Sequence, residues 1–172
     1  MFFFSIFWAF CHFTLSSSLE FAFIWPPVGI EQIDYFQLPL INTMLLVVSG
    51  LFVTVSHNFL KKEDFLNTAV NLVITISLGI AFLCVQWHEY MNISFNINDS
   101  VVGSIFYFGT GFHGLHVLLG LIALIYNFLK LYNQELSKER HYSFLFAIWY
   151  WHFVYIILIA LYILFYVWGL QW

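Results

Sequence analysis

The chain has 172 residues, 62% of them apolar and only 8% charged, with a formal net charge of −4. A soluble domain carries charge on roughly a quarter of its residues, so this chain cannot clothe itself in a hydrated surface, and the composition predicts an all-α, polytopic membrane protein. The charges gather at a few places, so the net value gives no reason to expect nucleic acid as a partner.

The first apolar stretch, residues 2–15, reaches only about two-thirds of the way across a ~30 Å hydrocarbon core at about 1.5 Å per residue. It has no basic flank and no small-residue cleavage site, so it reads as a partial span and not as a signal peptide. As a helix it would hold Met1 near mid-depth, where a free ammonium is costly. Cover by another chain, a blocked amine or an interfacial position would each resolve that cost. Residues 16–37 contain Trp25, Pro26, Pro27 and Gly29 and predict a rigid loop. Four full spans follow, at 38–60, 65–87, 101–129 and 142–168. The last two exceed the bilayer core and should tilt or project beyond it. With no repeat or low-complexity linker, residues 1–172 are expected to form one helical bundle.

Lys61 and Lys62 join the first two full spans, and Lys130, Lys138 and Arg140 join the last two, which accounts for every Lys and Arg. The opposite side carries Glu20, Glu31, Asp34, Glu89 and Asp99. By the positive-inside rule the basic loops face the cytoplasm or a mitochondrial matrix, and the C-terminus lies on the other side. Trp25, Trp87, Trp168 and Trp172 fall near that outer interface as an aromatic belt.

His113 and His116 interrupt the third full span, where an ionisable side chain needs a reason to be. Gly109, Thr110, Gly111, Gly114 and Gly120 flank them, which predicts a tight helix contact with polar groups inside it. The two imidazoles could ligate a metal. A b-type haem would need axial histidines from facing helices, with His12 and His152 as candidates; hydrogen bonds between helices or to lipid are the plainer use. His57, His88 and His141 lie near span ends. Gln86, His88 and Glu89 could shuttle protons or simply cap a helix at the interface. Asp99 suits the N-terminus of the next helix. Trp149, Tyr150, Trp151, His152 and Phe153 predict packing and interfacial anchoring. Lys130, beside Tyr132, can meet a lipid phosphate or snorkel. Cys11 and Cys84 read as small core residues. There is no pair of transmembrane carboxylates, three-histidine copper cluster, haem-attachment CxxCH, phosphate loop or nucleophile elbow, so no catalytic, cofactor or metal residue is expected.

Several strings occur in an ordered series: Phe7-Trp8-Ala9-Phe10 with His12; Trp25-Pro26-Pro27-Val28-Gly29-Ile30; Leu38-Pro39-Leu40-Ile41-Asn42-Thr43 with Ser49-Gly50; and Gln86 with Glu89-Tyr90. Phe95, Ile97, Asp99, Gly103, Ser104 and Phe106 come next, then Gly111-Phe112-His113-Gly114-Leu115-His116 and Trp149-Tyr150-Trp151-His152-Phe153-Val154. Together they resemble subunit III of cytochrome c oxidase across almost the whole chain. The resemblance implies helices three to seven of a seven-helix family, beginning part-way along the third. The family's membrane-embedded acidic residue in that helix would lie upstream of Met1. A split subunit, with a second polypeptide carrying the missing helices, is therefore expected, and a truncated gene reading is the alternative. Leu145, Tyr155 and Asn58 depart from the family pattern, which has Glu, Asp and His there.

The resemblance further implies that haem and copper sit in partner subunits and none on this chain. It implies contact with the catalytic subunit I and other oxidase subunits, and structural phospholipids in a cleft. The role implied is support of proton uptake in an enzyme that passes electrons from cytochrome c to oxygen and pumps protons, in the mitochondrial inner membrane. The AT-rich codon bias suggested by abundant Phe, Tyr and Ile fits an organellar gene. Lys130, His113 and His116 are the implied lipid-facing residues. Gly111, Gly114, Trp149, Trp151 and His152, with His113 and His116, match the packing core, and Glu89 and Asp99 match outer-side positions. Competing readings are a quinol oxidase subunit III, a b-type cytochrome using His12, His113, His116 or His152, and, last, a transporter, for which paired intramembrane charges and broken-helix repeats are missing.

Overall fold

The computed structural model describes residues 2–15, 38–93, 96–99, 101–137 and 141–168. Trp25, Pro26, Pro27, Gly29, Glu20, Glu31, Asp34, Phe95, Lys138, Arg140 and Trp172 lie outside the described residues. The described elements are all helical: α1 (Phe2–Leu15), α2 (Leu38–Lys61), α3 (Phe65–Asn92), α4 (Val101–Tyr132) and α5 (Tyr142–Tyr162), which runs on as a π-helix over Ile163–Trp168. Helices α2 to α5 are long and apolar enough to cross a membrane, with mean hydropathy of 1.8 to 2.2 in their best windows. With 14 residues, α1 is too short.

The spans start where the apolar runs start, but two overrun their expected ends. α3 continues past Trp87 to Asn92, and α4 continues past Leu129 to Tyr132. A drop in hydropathy ends an apolar run without ending a helix, provided the polar residues find partners. At the other end of α3 the stop signal is local. The Asp64 carboxylate accepts the Asn67 backbone N–H at 3.2 Å and caps α3. Glu63, just before it, takes φ 62°, which turns the chain sharply out of α2.

α3 touches α2 and α4, and α5 touches α4 and α2, so four helices close into a bundle with α1 laid against α4. One buried cluster joins Leu46, Val53, Leu72, Phe82, Val117, Leu124, Phe144 and Trp151 from all four helices. A second joins Phe3, Ile6 and Phe10 of α1 to Phe106, Leu161 and Phe165.

Trp151 is the centre of the first cluster and is fully buried. It lies between two glycines. A methyl group on Gly79 would come within 2.9 Å of the ring, and one on Gly120 within 2.8 Å. Its indole Nε1–H donates to the Ser49 hydroxyl at 2.9 Å, which in turn donates to the Leu46 carbonyl at 2.6 Å. Three neighbouring helices are thus fixed on one side chain of α5. In lipid, where apolar surface gains nothing by leaving solvent, such close packing and hydrogen bonding are the main glue.

Of the glycines around His113 and His116, Gly120 makes the expected tight contact, and a methyl on Gly109 would lie 3.2 Å from Phe165, but Gly111 and Gly114 differ. Among the described residues a methyl on Gly114 would meet nothing within 4 Å, and one on Gly111 only the Tyr90 hydroxyl at 3.9 Å. Those two glycines make no close contact with the described residues, and Trp149 points outward, 61% exposed. The reason is angular: Gly114 is about 100° round the helix from His113, whereas His113, Val117, Gly120 and Leu124 share the buried face. Neither cysteine forms a disulfide; Cys11 is half-buried and Cys84 exposed, contrary to the core role expected of both.

Candidate functional site

Most buried polar side chains in this bundle bond to their own helix. Thr43 donates to Pro39 O at 2.8 Å, Thr75 to Asn71 O at 2.9 Å, and Thr110 to Phe106 O at 2.7 Å. Such back-bonds let a hydroxyl sit at membrane depth without a partner on another helix. Others join helices in pairs, as Ser56 does by donating to Thr68 O at 2.9 Å and Ser143 by donating to Asn127 Oδ1 at 2.9 Å; at one end polar groups from four elements gather.

There the stripe Leu72, Thr75, Gly79, Phe82, Gln86, Glu89, which keeps one face of α3 inward, ends in an amide and a carboxyl. Glu89 is only 5% exposed. It accepts the Tyr166 hydroxyl at 2.6 Å. Tyr166 belongs to the π-helical turn, where both Phe165 and Tyr166 are buried. Asn42 of α2 donates to Gln86 Oε1 at 3.2 Å. Tyr90 donates to Thr110 Oγ1 of α4 at 2.7 Å. These groups line a cavity of about 20 Å³.

The arrangement holds a carboxyl by hydrogen bonds inside the bundle. The expectation that Gln86 and Glu89 cap α3 and anchor it at the interface is corrected: α3 runs on to Asn92, Ile93 caps it, and both side chains face the interior. The signal was in the sequence, because Gln86 and Glu89 extend the inward stripe at the same three- and four-residue spacing. His88, off that stripe, is exposed.

His113 and His116 have different surroundings. His113 is 1% exposed, edge-on to Phe82 at 5.8 Å, so it cannot reach a lipid, as its expected lipid role requires. His116 is half-buried, with Nδ1 at 2.8 Å from Phe112 O and its ring packed on Phe3 at 5.3 Å and Phe112 at 4.6 Å. His152 sits edge-on to Tyr155, with Nε2 at 3.3 Å from Thr54 Oγ1. His12 is exposed. His57 and His141 face each other at the Lys61 end, rings 5.4 Å apart. Among the described residues no group of three or more His, Cys, Asp and Glu side chains is placed to hold a metal ion.

Lys130 lies with its ammonium 4.8 Å from the centre of the Tyr126 ring, one turn back, and not on Tyr132, which is exposed. Asp99 accepts the Asn96 backbone N–H at 2.6 Å, so its carboxylate closes the turn before α4; the side chain bonded to this turn from within α4 is Ser104, on Ile97 O at 2.6 Å. Of the departures from the family pattern, Tyr155 fills the space above Gly50, where a methyl would come within 2.9 Å of its ring. Leu145 is half-buried and Asn58 exposed.

Known proteins resemble this chain along nearly its full length. The sequence profile described as cytochrome c oxidase subunit III matches residues 1–170. The cytochrome c oxidase subunit 3 of Yarrowia lipolytica is 45% identical over 168 residues, covering 98% of this chain and 63% of the relative. That of Anopheles gambiae is 46% identical over 168 residues, covering 98% and 64%. That of Allomyces macrogynus is 46% identical over 167 residues, covering 97% and 61%. The chain thus spans less than two-thirds of the length of the relatives it matches. With apolar helices of membrane-crossing length and a profile match over residues 1–170, this integral membrane protein belongs to the cytochrome c oxidase subunit III family.

Proposed function

We propose that this chain acts as a non-redox, lipid-binding part of subunit III in a terminal oxidase that passes electrons from cytochrome c to oxygen and pumps protons. The observation that carries the proposal is the identity of about 45% to proteins named cytochrome c oxidase subunit 3, spread over 98% of the chain. Haem and copper belong, in this proposal, to partner subunits, above all the catalytic subunit I. The side chains support it: among the described residues the buried polar groups are amides, hydroxyls, one carboxyl and the His113 imidazole, which packs edge-on to Phe82. Lys130, at the basic-loop end of α4 and steadied on Tyr126, supports a lipid-phosphate contact there. The loop basicity supports an orientation with Lys61, Lys62 and Lys130 facing the matrix of a mitochondrion and the C-terminal end of α5 on the intermembrane side.

The experiment is isolation of the chain from its native membrane in mild detergent, with every co-purifying polypeptide, haem and metal identified. Recovery with a haem–copper core and a dinuclear copper subunit supports the proposal. A core lacking the dinuclear copper would indicate a quinol oxidase, and haem bound to the isolated chain would overturn the non-redox role.

A further inference from the structure

The cavity at the Glu89 end is lined by Asn42, Thr43, Gln86, Glu89, Thr110 and Tyr166 together with apolar groups, and measures about 20 Å³. Its two amides are the least satisfied groups in the cluster. Asn42 Oδ1 and Gln86 Nε2 are buried and unpartnered, while Asn42 is 3% and Gln86 9% exposed. The Gln86 amide lies near the Tyr90 hydroxyl, whose own proton goes to Thr110 Oγ1 at 2.7 Å. Turning the amides over does not help. Whichever way they face, one Asn–Gln bond leaves one N–H₂ donor and one carbonyl acceptor unused. At membrane depth each such group is expensive.

We propose that this cavity is a binding site for a single internal water molecule, which accepts from the free amide donor, donates to the free amide carbonyl, and gives its second proton to the Glu89 carboxyl. The dimensions agree: a water needs about 10–15 Å³ of free space and two to four polar partners, and the site offers both. The groups come from three elements, with Asn42 on α2 and Gln86 and Glu89 on α3, while Tyr166 of the π-helical turn holds the carboxyl from the far side. The water therefore ties α2 to α3 where no glycine-on-aromatic contact is made. Tyr166 lies on a π-helical turn, an element that recurs at functional sites. The inference does not depend on which enzyme the chain serves.

The test is a cryo-EM map of the assembly purified from its native membrane, at a resolution that shows ordered waters elsewhere. One density about 2.7–3.2 Å from both amides and the Glu89 carboxyl is expected. Both amides turned onto the Tyr90 hydroxyl and Glu89, with no density between, would overturn the proposal. So would a density at about 2.4 Å from its oxygens that vanishes when sodium is replaced by choline, since those are cation distances. Gln86→Met, which keeps the volume and removes the amide, should abolish the density and lower the unfolding midpoint while leaving Tyr166 on Glu89. An unchanged density in that variant would also sink the idea. If Gln86→Met does not assemble, the wild-type map decides alone.

Discussion

At Trp151 and at Glu89 the same bundle is held together in opposite ways. Around Trp151 the fit is steric: Gly79 and Gly120 leave room for one indole, and its single donor ends on Ser49. Around Glu89 the fit is chemical: hydroxyl, amide and carboxyl groups from α2, α3, α4 and the π-turn meet around a small space, and two of their atoms have no protein partner. Lipid explains why both are needed. Without water to expel, helices associate through close contact and through polar groups that find each other. The first region should be intolerant of size and the second of lost donors.

The largest effect is expected from Trp151→Ala. In a water-soluble core it would cost about 3–5 kcal/mol through lost contacts and a residual cavity. Here the lower end applies, near ~3 kcal/mol, because the unfolded reference in lipid also surrounds the indole with apolar contacts. Ser49, once the acceptor of the indole, would be left on the Leu46 carbonyl alone. Thermal unfolding of the detergent-purified assembly measures the loss, and a midpoint within error of wild type would show that Trp151 does not pin the helices.

Next comes Gly120→Ala, with a cost of about 1–3 kcal/mol from overpacking. The added methyl would sit 2.8 Å from Trp151 and 3.3 Å from Tyr150, both rings and neither a flexible chain end. Combining it with Trp151→Leu should recover part of the loss, since the ring that clashes would be gone. Strict additivity of the two losses would contradict the shared contact.

At the polar end the largest effect of a single atom is Tyr166→Phe. It removes only the hydroxyl that donates to Glu89 at 2.6 Å. About 1–2 kcal/mol is expected, between the average for a hydrogen bond in a membrane protein and the cost of a stranded buried acceptor. Adding Glu89→Gln to the Tyr166→Phe variant should restore some of that loss, because an amide is less costly to leave unpaired than a carboxylate. Equal midpoints for Tyr166→Phe and the wild type would mean that the carboxyl is satisfied from elsewhere.

Much of this architecture is legible in the sequence, and its failures follow a pattern. The four long helices begin at Leu38, Phe65, Val101 and Tyr142 because apolar runs begin there, and the short α1 is visible from its length alone. What apolarity cannot give is the direction of a side chain. In α4 nearly every residue is apolar or small, so the inward face has no contrast, and Gly111 and Gly114 look as suitable for packing as Gly120. In α3 the contrast exists, but a polar residue after a long apolar run resembles the end of a span. Only the continued three- and four-residue spacing from Phe82 to Gln86 and Glu89 distinguishes an inward carboxyl from an interfacial one. The π-turn at Ile163–Trp168 leaves no mark in the apolar pattern, which runs on unbroken through it.

Gly114→Ala is the smallest effect and the sharpest control. Among the described residues the new methyl meets nothing within 4 Å, and alanine favours helix over glycine by up to about 1 kcal/mol. In the isolated chain the substitution should therefore be neutral or slightly stabilising, the reverse of Gly120→Ala on the same helix. The comparison becomes informative in the assembled complex. If Gly114→Ala weakens co-purification of a partner while leaving the midpoint of the free chain untouched, the open side of α4 is an interface and its glycines serve another polypeptide. If it is neutral in both settings, that face meets only lipid, whose chains can adjust around one methyl group.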